Sequence, residues 1–227
     1  MKTIFTKSIL LFLISILAAC HLANAQNNKV VHLKSGDLVP APNVASFDRS
    51  SAIFNENIFL GRSYLVFQFN DVITEANKTS LANLGIKVIE YIPDNSYIVS
   101  VPTDLDVQRI KQINLRSIFA LRPTDKALPE LLQGKVLPHA IKQNGYADVT
   151  ILTYDLLDRN MVAPALSAIG ASIIEEYAVF KNFVVRVPVA NLRALAALSF
   201  IQWLEFIDPP NQVENLLGRS LHRENIL

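Results

Sequence analysis

Apolar residues along this chain fall into short runs punctuated by glycine and proline, and one pattern of runs occurs twice. The first copy is Leu84-Gly85-Ile86-Lys87-Val88-Ile89-Glu90-Tyr91 followed by Tyr97-Ile98-Val99-Ser100-Val101-Pro102. The second is Ile169-Gly170-Ala171-Ser172-Ile173-Ile174-Glu175-Glu176-Tyr177 followed by Phe183-Val184-Val185-Arg186-Val187-Pro188. With one residue inserted in the second copy, Gly meets Gly, Glu-Tyr meets Glu-Tyr and the Val-x-Val-Pro endings coincide. Tyr64 precedes Gly85 by the same 21 residues that separate Val149 from Gly170, and 21 residues also separate Pro102 from Pro123 and Pro188 from Pro209. A fixed register of this kind marks duplicated structural units.

Within repeat one, Tyr64 to Phe69 is aromatic and β-branched and predicts a strand. Thr74 is a candidate N-cap for a helix reaching Leu84, with Ala76, Leu81 and Leu84 as its apolar stripe and Gly85 at its left-handed end. Ile86 to Ile92 and Tyr97 to Val101 predict a hairpin around Pro93-Asp94-Asn95. Asp104 caps a short helix, and Arg116 to Leu121 is the fourth strand. Repeat two follows the same order: Val149 to Tyr154, a helix within Asp158 to Ile169, strands Ala171 to Tyr177 and Phe183 to Val187, helix Asn191 to Leu198, strand Phe200 to Ile207. Pro164 is tolerable only in a first helical turn, which predicts that the first helix of this repeat begins near Met161.

Strand-helix-strand-strand-helix-strand, twice, predicts an α+β fold of two tandem ferredoxin-like (split βαβ) domains with antiparallel sheets. The expected organisation is a signal peptide at 1–25 and an extended arm at 26–63. Repeats at 64–123 and 148–208 flank a linker at 124–147, and a tail covers 209–227. Phe54, Ile58, Phe59 and Leu60 of the arm should dock on repeat one. Leu131, Leu132, Val136 and Leu137 should pack beneath the linker. Leu65, Phe67 and Phe69 face one way and Tyr64, Val66 and Gln68 the other. Phe183, Val185 and Val187 oppose Val184 and Arg186. Because neither side of the sheets is fully polar, the repeats are expected to pack on each other, to offer a docking face to another domain, or both.

Composition narrows the class. Lys2 and Lys7, the apolar run Ile9 to Ala19 and the small-x-small site Ala23-Asn24-Ala25 form a secretion signal, too short to span a bilayer, which takes about 20 residues. Leu17-Ala18-Ala19-Cys20 also has the form of a lipoprotein box, so cleavage before Cys20 with lipidation stays open beside cleavage after Ala25. The second route leaves no cysteine and no thiol chemistry. Loss of Lys2 and Lys7 turns 21 basic against 20 acidic residues into 19 against 20, so no basic field attracts nucleic acid. The histidines (His21, His32, His139, His222) sit in separate segments without metal-ligand spacing. No Gly-x-Ser-x-Gly elbow or Gly-rich phosphate loop is present. Glu175-Glu176 reads as edge charge that discourages aggregation. Asn77-Lys78-Thr79 matches a glycosylation sequon and is expected to be idle. Trp203, in the alternating last strand, is expected in the core rather than as a binding platform. No self-contained active site, metal site or cofactor site emerges.

The strand Ser63 to Phe69, the stretch Leu84 to Pro102, the stretch Gly170 to Pro188 and the tail from Asn215 together resemble the N-terminal prodomains of secreted bacterial subtilisin-like serine proteases. The fervidolysin-like tandem form is the nearer match. The protease motifs Asp-Thr/Ser-Gly, His-Gly-Thr-His and Gly-Thr-Ser-Met are absent, so no catalytic residue carries over. The resemblance implies a non-catalytic chaperone and inhibitor of a protease domain acting in cis, exported to the envelope or beyond. It implies a tail holding Asn215, Arg219, His222, Arg223 and Asn225 that enters the protease cleft. The tail's Val213, Leu216, Leu217 and Leu221 fit a short amphipathic helix weakened by Gly218. The alternative is a stand-alone secreted or lipid-anchored protein-binding module, touching membrane only through a lipidated Cys20.

Overall fold

The computed structural model describes residues 29–209. Cys20 and the tail residues Asn215, Arg219, His222, Arg223 and Asn225 lie outside the described residues, as does the signal segment.

The chain is α+β, with two antiparallel sheets of matching topology. The first carries β4 (Arg62–Phe69), β5 (Lys87–Ile92), β6 (Ser96–Pro102) and β7 (Leu115–Phe119), ordered β7-β4-β6-β5. The second carries β8 (Tyr146–Thr153), β9 (Ser172–Tyr177), β10 (Asn182–Pro188) and β11 (Ile201–Phe206), ordered β11-β8-β10-β9. In each, the strand before the first helix and the strand after it are separated by a third, which is the split βαβ arrangement.

Helix ends are duplicated in atomic detail. Thr74 caps α2 (Glu75–Asn83), accepting from the Asn77 N–H, while the Asn77 side chain accepts from the Thr74 N–H. Asn77 is therefore committed to a capping box. Asp158 caps α5 (Arg159–Ala168), accepting from the Met161 N–H. Gly85 and Gly170 follow with φ of +69° and +71°. Ile86 N–H donates back to Leu81 O and Ala171 N–H to Leu166 O, the Schellman closure that satisfies carbonyls orphaned at a helix end. A Cβ at either glycine would sit 3.4 Å from the proline that ends its repeat's third strand, Pro102 or Pro188.

Pairing corrects the register between copies. Arg62 faces Pro102 and Tyr146 faces Pro188, so Val149 is the counterpart of Leu65 and not of Tyr64. The insertion that conceals this lies in α5, ten residues against nine in α2. Pro164 lies inside α5 rather than in its first turn. Its ring is on the exposed side, where water can bond the carbonyl it frees, and the Asp158 cap starts the helix at Arg159, two residues before Met161.

Within the region read as an extended arm, the segment 29–63 is folded rather than extended. It holds a hairpin of β1 (Val31–Leu33) and β2 (Gly36–Leu38), a short α1 (Ala52–Asn55), and β3 (Ile58–Phe59), which pairs with the start of β4. Its role follows from a thin helical layer: in α2 only Leu81 is fully buried, and Ala76 is exposed. Phe47 and Phe54, edge to face at 6.2 Å, complete the core over Leu65, Phe67 and Val99. Leu60 points to solvent at a left-handed turn, and Leu137, extended in the linker, is also exposed. The short second helix of repeat one, α3 (Val107–Ile110), is capped by Asp106 rather than Asp104. Its counterpart is α6 (Leu192–Ala197), and the linker adds α4 (Pro129–Leu132). No helix among the described residues is long and apolar enough to cross a membrane.

The two repeats pack on each other. Every residue of β4 from Ser63 to Phe69 is buried, because both faces of its sheet are covered. Tyr64 and Val66, on the helix-free side, share one core with Val149, Ile151 and Phe183 of repeat two. Tyr64 stacks on Tyr154 at 5.1 Å and Phe59 lies 4.4 Å from Phe200. Lys87 pairs with Asp155 at 2.7 Å across the junction.

Candidate functional site

Repeat two differs from repeat one on the corresponding face. Val149, Ile151, Phe183, Val185 and Val187 point to the helices and are fully buried. Their neighbours Thr150, Leu152, Val184 and Arg186 point the other way and stay partly exposed. Asp148 and Arg186, opposed across β8 and β10, form a two-point ion pair at 2.7 and 2.9 Å on this face, with Asp148 almost wholly buried. Period-2 alternation fixes that division.

A cleft of about 680 Å³ lies where this face meets the β5–β6 side of repeat one and the N-terminal hairpin. That volume is typical of ligand pockets, about 300–1,000 Å³. Its apolar walls include Ile92, Ile98, Leu121 and Leu152. Trp203 belongs to the cleft and not to the core. It is half-buried, its Nε1 donates to Glu205 at 3.1 Å, and the Lys34 ammonium stands 4.8 Å over its ring. Lys34 also reaches Glu205 at 3.3 Å. Gln202 donates to Glu90 at 2.6 Å. Asn182, also in the lining, keeps a buried side-chain oxygen without a hydrogen-bond partner, an uncommon state for a buried acceptor.

Below the cleft, at the junction of the repeats, Lys126 is 2% exposed. Its ammonium donates to Leu198 O at 3.2 Å and lies 5.7 Å from the Tyr154 ring. Burial pulls its pKa down to about 8, with Asp125 partly opposing. Burial also pushes the Tyr154 phenol far up. Lys126 O accepts from Leu204 N–H at 2.8 Å, tying the linker to β11.

The arrangement is suited to binding. His32 lies on the exposed hairpin beside Asp37 at 2.7 Å, and hydrogen bonding to that carboxylate raises its pKa. His139 is spent on Ile207 O at 2.8 Å, pegging the chain where it leaves β11. Neither histidine is bonded to a hydroxyl or amine nucleophile. Among the described residues no group of three His, Cys, Asp or Glu side chains is placed to hold a metal ion. Glu175 and Glu176 lie on the edge strand β9 and point to opposite faces, Glu176 toward Arg159 at 3.7 Å and Glu175 to the Tyr177 hydroxyl. Sequence reading missed Lys126, Asn182 and the hairpin wall. A single lysine in an apolar linker and an asparagine at a strand start carry no motif.

Residues 32–122 match a family model described as a domain of unknown function, DUF8729. No curated protein and no solved structure matches the chain. The matched span begins in β1 and ends just beyond β7, so it takes in most of the hairpin, the short helix and the strands of repeat one.

Proposed function

We propose that the chain is a non-catalytic prodomain that assists the folding of a secreted subtilisin-like serine protease domain and inhibits it. One observation carries the reading: repeat two leaves one sheet face only partly covered, lining an open cleft, and the chain leaves β11 beside that same face, with Asp208 in the cleft lining. A partly apolar sheet face rimmed by charge is a docking surface, and a segment running on from its last strand can add a strand to an enzyme's cleft edge. The partner is the protease domain in cis, export is through the N-terminal signal, and membrane contact arises only if Cys20 is lipidated. The test adds the purified chain to a subtilisin-type protease and follows peptide hydrolysis. Competitive inhibition that vanishes when the chain ends at Pro209 is expected. Unchanged hydrolysis, together with unchanged maturation of the protease when the two are co-expressed, overturns the proposal.

The second reading, a stand-alone envelope binding module, draws on the cleft with Trp203 in its wall. It predicts that a chain ending at Pro209 keeps its full affinity for its partner.

A further inference from the structure

We propose that the cleft between the repeats binds a short extended peptide segment in which an arginine is flanked by apolar residues, the guanidinium resting on Glu90. The charges of the lining decide the sign of the ligand. Arg122 answers Asp125 with two contacts at 2.9 and 3.0 Å, and Lys34 answers Glu205 at 3.3 Å. Lys181 donates to Tyr154 O at 3.3 Å and stands near Asp155. Half-buried Glu90 has no cation among the described residues: Gln202 donates to its Oε2, and its Oε1 has no donor there. A guanidinium fork meets both oxygens of such a carboxylate at once. Apolar groups surround this charge. Ile98 is the cross-strand partner of Glu90, Ile92 lies two residues further along β5, and with Leu121 and Leu152 they form an apolar floor. The lining also draws on two edge strands, β5 and β11. Apart from the bridge of Leu204 to Ala127, no strand covers their outer sides among the described residues. An extended peptide brings the main-chain donors and acceptors that match a strand edge, and about 680 Å³ suits a segment of a few residues.

The inference rests on the cleft alone, so its failure leaves protease inhibition, read by hydrolysis, untouched. Trp203 is the single tryptophan and lines the cleft, so its emission reports occupancy. The probe is a capped Leu-Arg-Leu tripeptide, and its control carries citrulline, which keeps the shape of arginine without the charge. Titrated into the full chain, the arginine peptide should change Trp203 emission saturably and bind more tightly than the citrulline peptide by about tenfold or more. Glu90→Gln, which keeps a hydrogen-bonding partner for Gln202, should retain the parent's far-ultraviolet circular dichroism and bind both peptides equally. Isothermal titration calorimetry gives the same affinities independently of Trp203, and the comparison of the two peptides on the parent does not depend on how the variant folds. Absence of saturable binding at about 1 mM peptide, equal affinities of the two peptides for the parent, or a preference for arginine that persists in Glu90→Gln overturns the inference. So does Trp203 emission that shifts on dilution of the chain alone, which identifies a second copy as the occupant.

Discussion

Replacing Lys126 by methionine tests whether burial, rather than pairing, governs the junction between the repeats. The Lys126 side chain is 2% exposed and its pKa falls from the ordinary 10.5 to about 8, chiefly through burial. A depressed lysine pKa means that the folded state holds the proton less tightly than the unfolded chain. At about 1.36 kcal/mol per pH unit, the charged amine then costs the fold about 3 kcal/mol at any pH below 8. Between pH 8 and 10.5 the unfolded chain still carries a proton that the folded chain has shed, so stability rises with pH. The gain is complete above the unfolded value and is lost as pH falls through the folded one. Methionine has similar length and fills the space without a charge, but it strips the donor from Leu198 O, at a cost of about 1–3 kcal/mol. The two effects offset each other near neutrality, so absolute stability at pH 7 decides nothing. The pH dependence decides. Urea unfolding of both proteins, followed by circular dichroism, should show the parent gaining about 2 kcal/mol on Lys126→Met between pH 7.5 and 9.5. A difference between the two proteins that stays flat within about 0.5 kcal/mol over that range refutes the assignment of a titrating buried amine.

Four further substitutions probe the repeats. Gly85→Ala and Gly170→Ala each force a left-handed residue, at about 1–2 kcal/mol; equal losses in chemical unfolding are expected because both new methyl groups meet a proline at the same 3.4 Å, and a loss at one site alone contradicts the duplication. Pro164→Ala restores an N–H inside α5 and should raise the melting temperature by several degrees, on the order of 2–4 °C per kcal/mol; a lower melting temperature means that the proline ring itself supports the packing. Tyr154→Ala removes a buried aromatic that stacks on Tyr64 and should cost about 3–5 kcal/mol, with hydrogen exchange accelerating in β4 and β8 together rather than in β8 alone.

The hairpins were legible because their determinants are local. Gly85 and Gly170 adopt a conformation that glycine favours, and Pro102 and Pro188 end the strands that follow and touch those glycines. The division of faces was legible from alternation, and Leu65, Phe67 and Phe69 do share a core apart from Tyr64 and Val66. The first-strand register was not. In β4 the run Tyr64 to Phe67 is apolar at both parities, so its composition does not say which parity meets the helices; pairing of Leu65 with Val99 and of Val149 with Val185 settles it. The same gap misplaced Trp203, since alternation gives two faces without saying which one a helix covers. The arm was misread because Phe47 and Phe54 answer a deficiency in α2 that becomes visible only in three dimensions. The cleft was out of reach for a related reason: its walls come from segments as far apart as His32 and Asp208.

The corrected register explains why two copies of one fold make one asymmetric body. Tyr64 in repeat one corresponds to Asp148 in repeat two, and Val66 to Thr150. Apolar residues at these positions let the helix-free face of repeat one take the Tyr154 end of repeat two against it. Polar residues at the same positions in repeat two, locked by the pairing of Asp148 with Arg186, keep its helix-free face from collapsing onto a third layer. If both faces were apolar, the sheets would close on each other or on neighbouring chains. If both were polar, the repeats would separate. One of each yields a fixed junction and a cleft beside it, and the residues that decide this occupy matched positions on the first strand of each repeat. Exchanging Asp148 and Arg186 together for an apolar pair should therefore leave the fold intact, since a buried ion pair is often replaced without loss. It should also drive the chain to self-associate, which light scattering would detect. A variant that remains monomeric at every concentration would show that the ion pair does not guard this face.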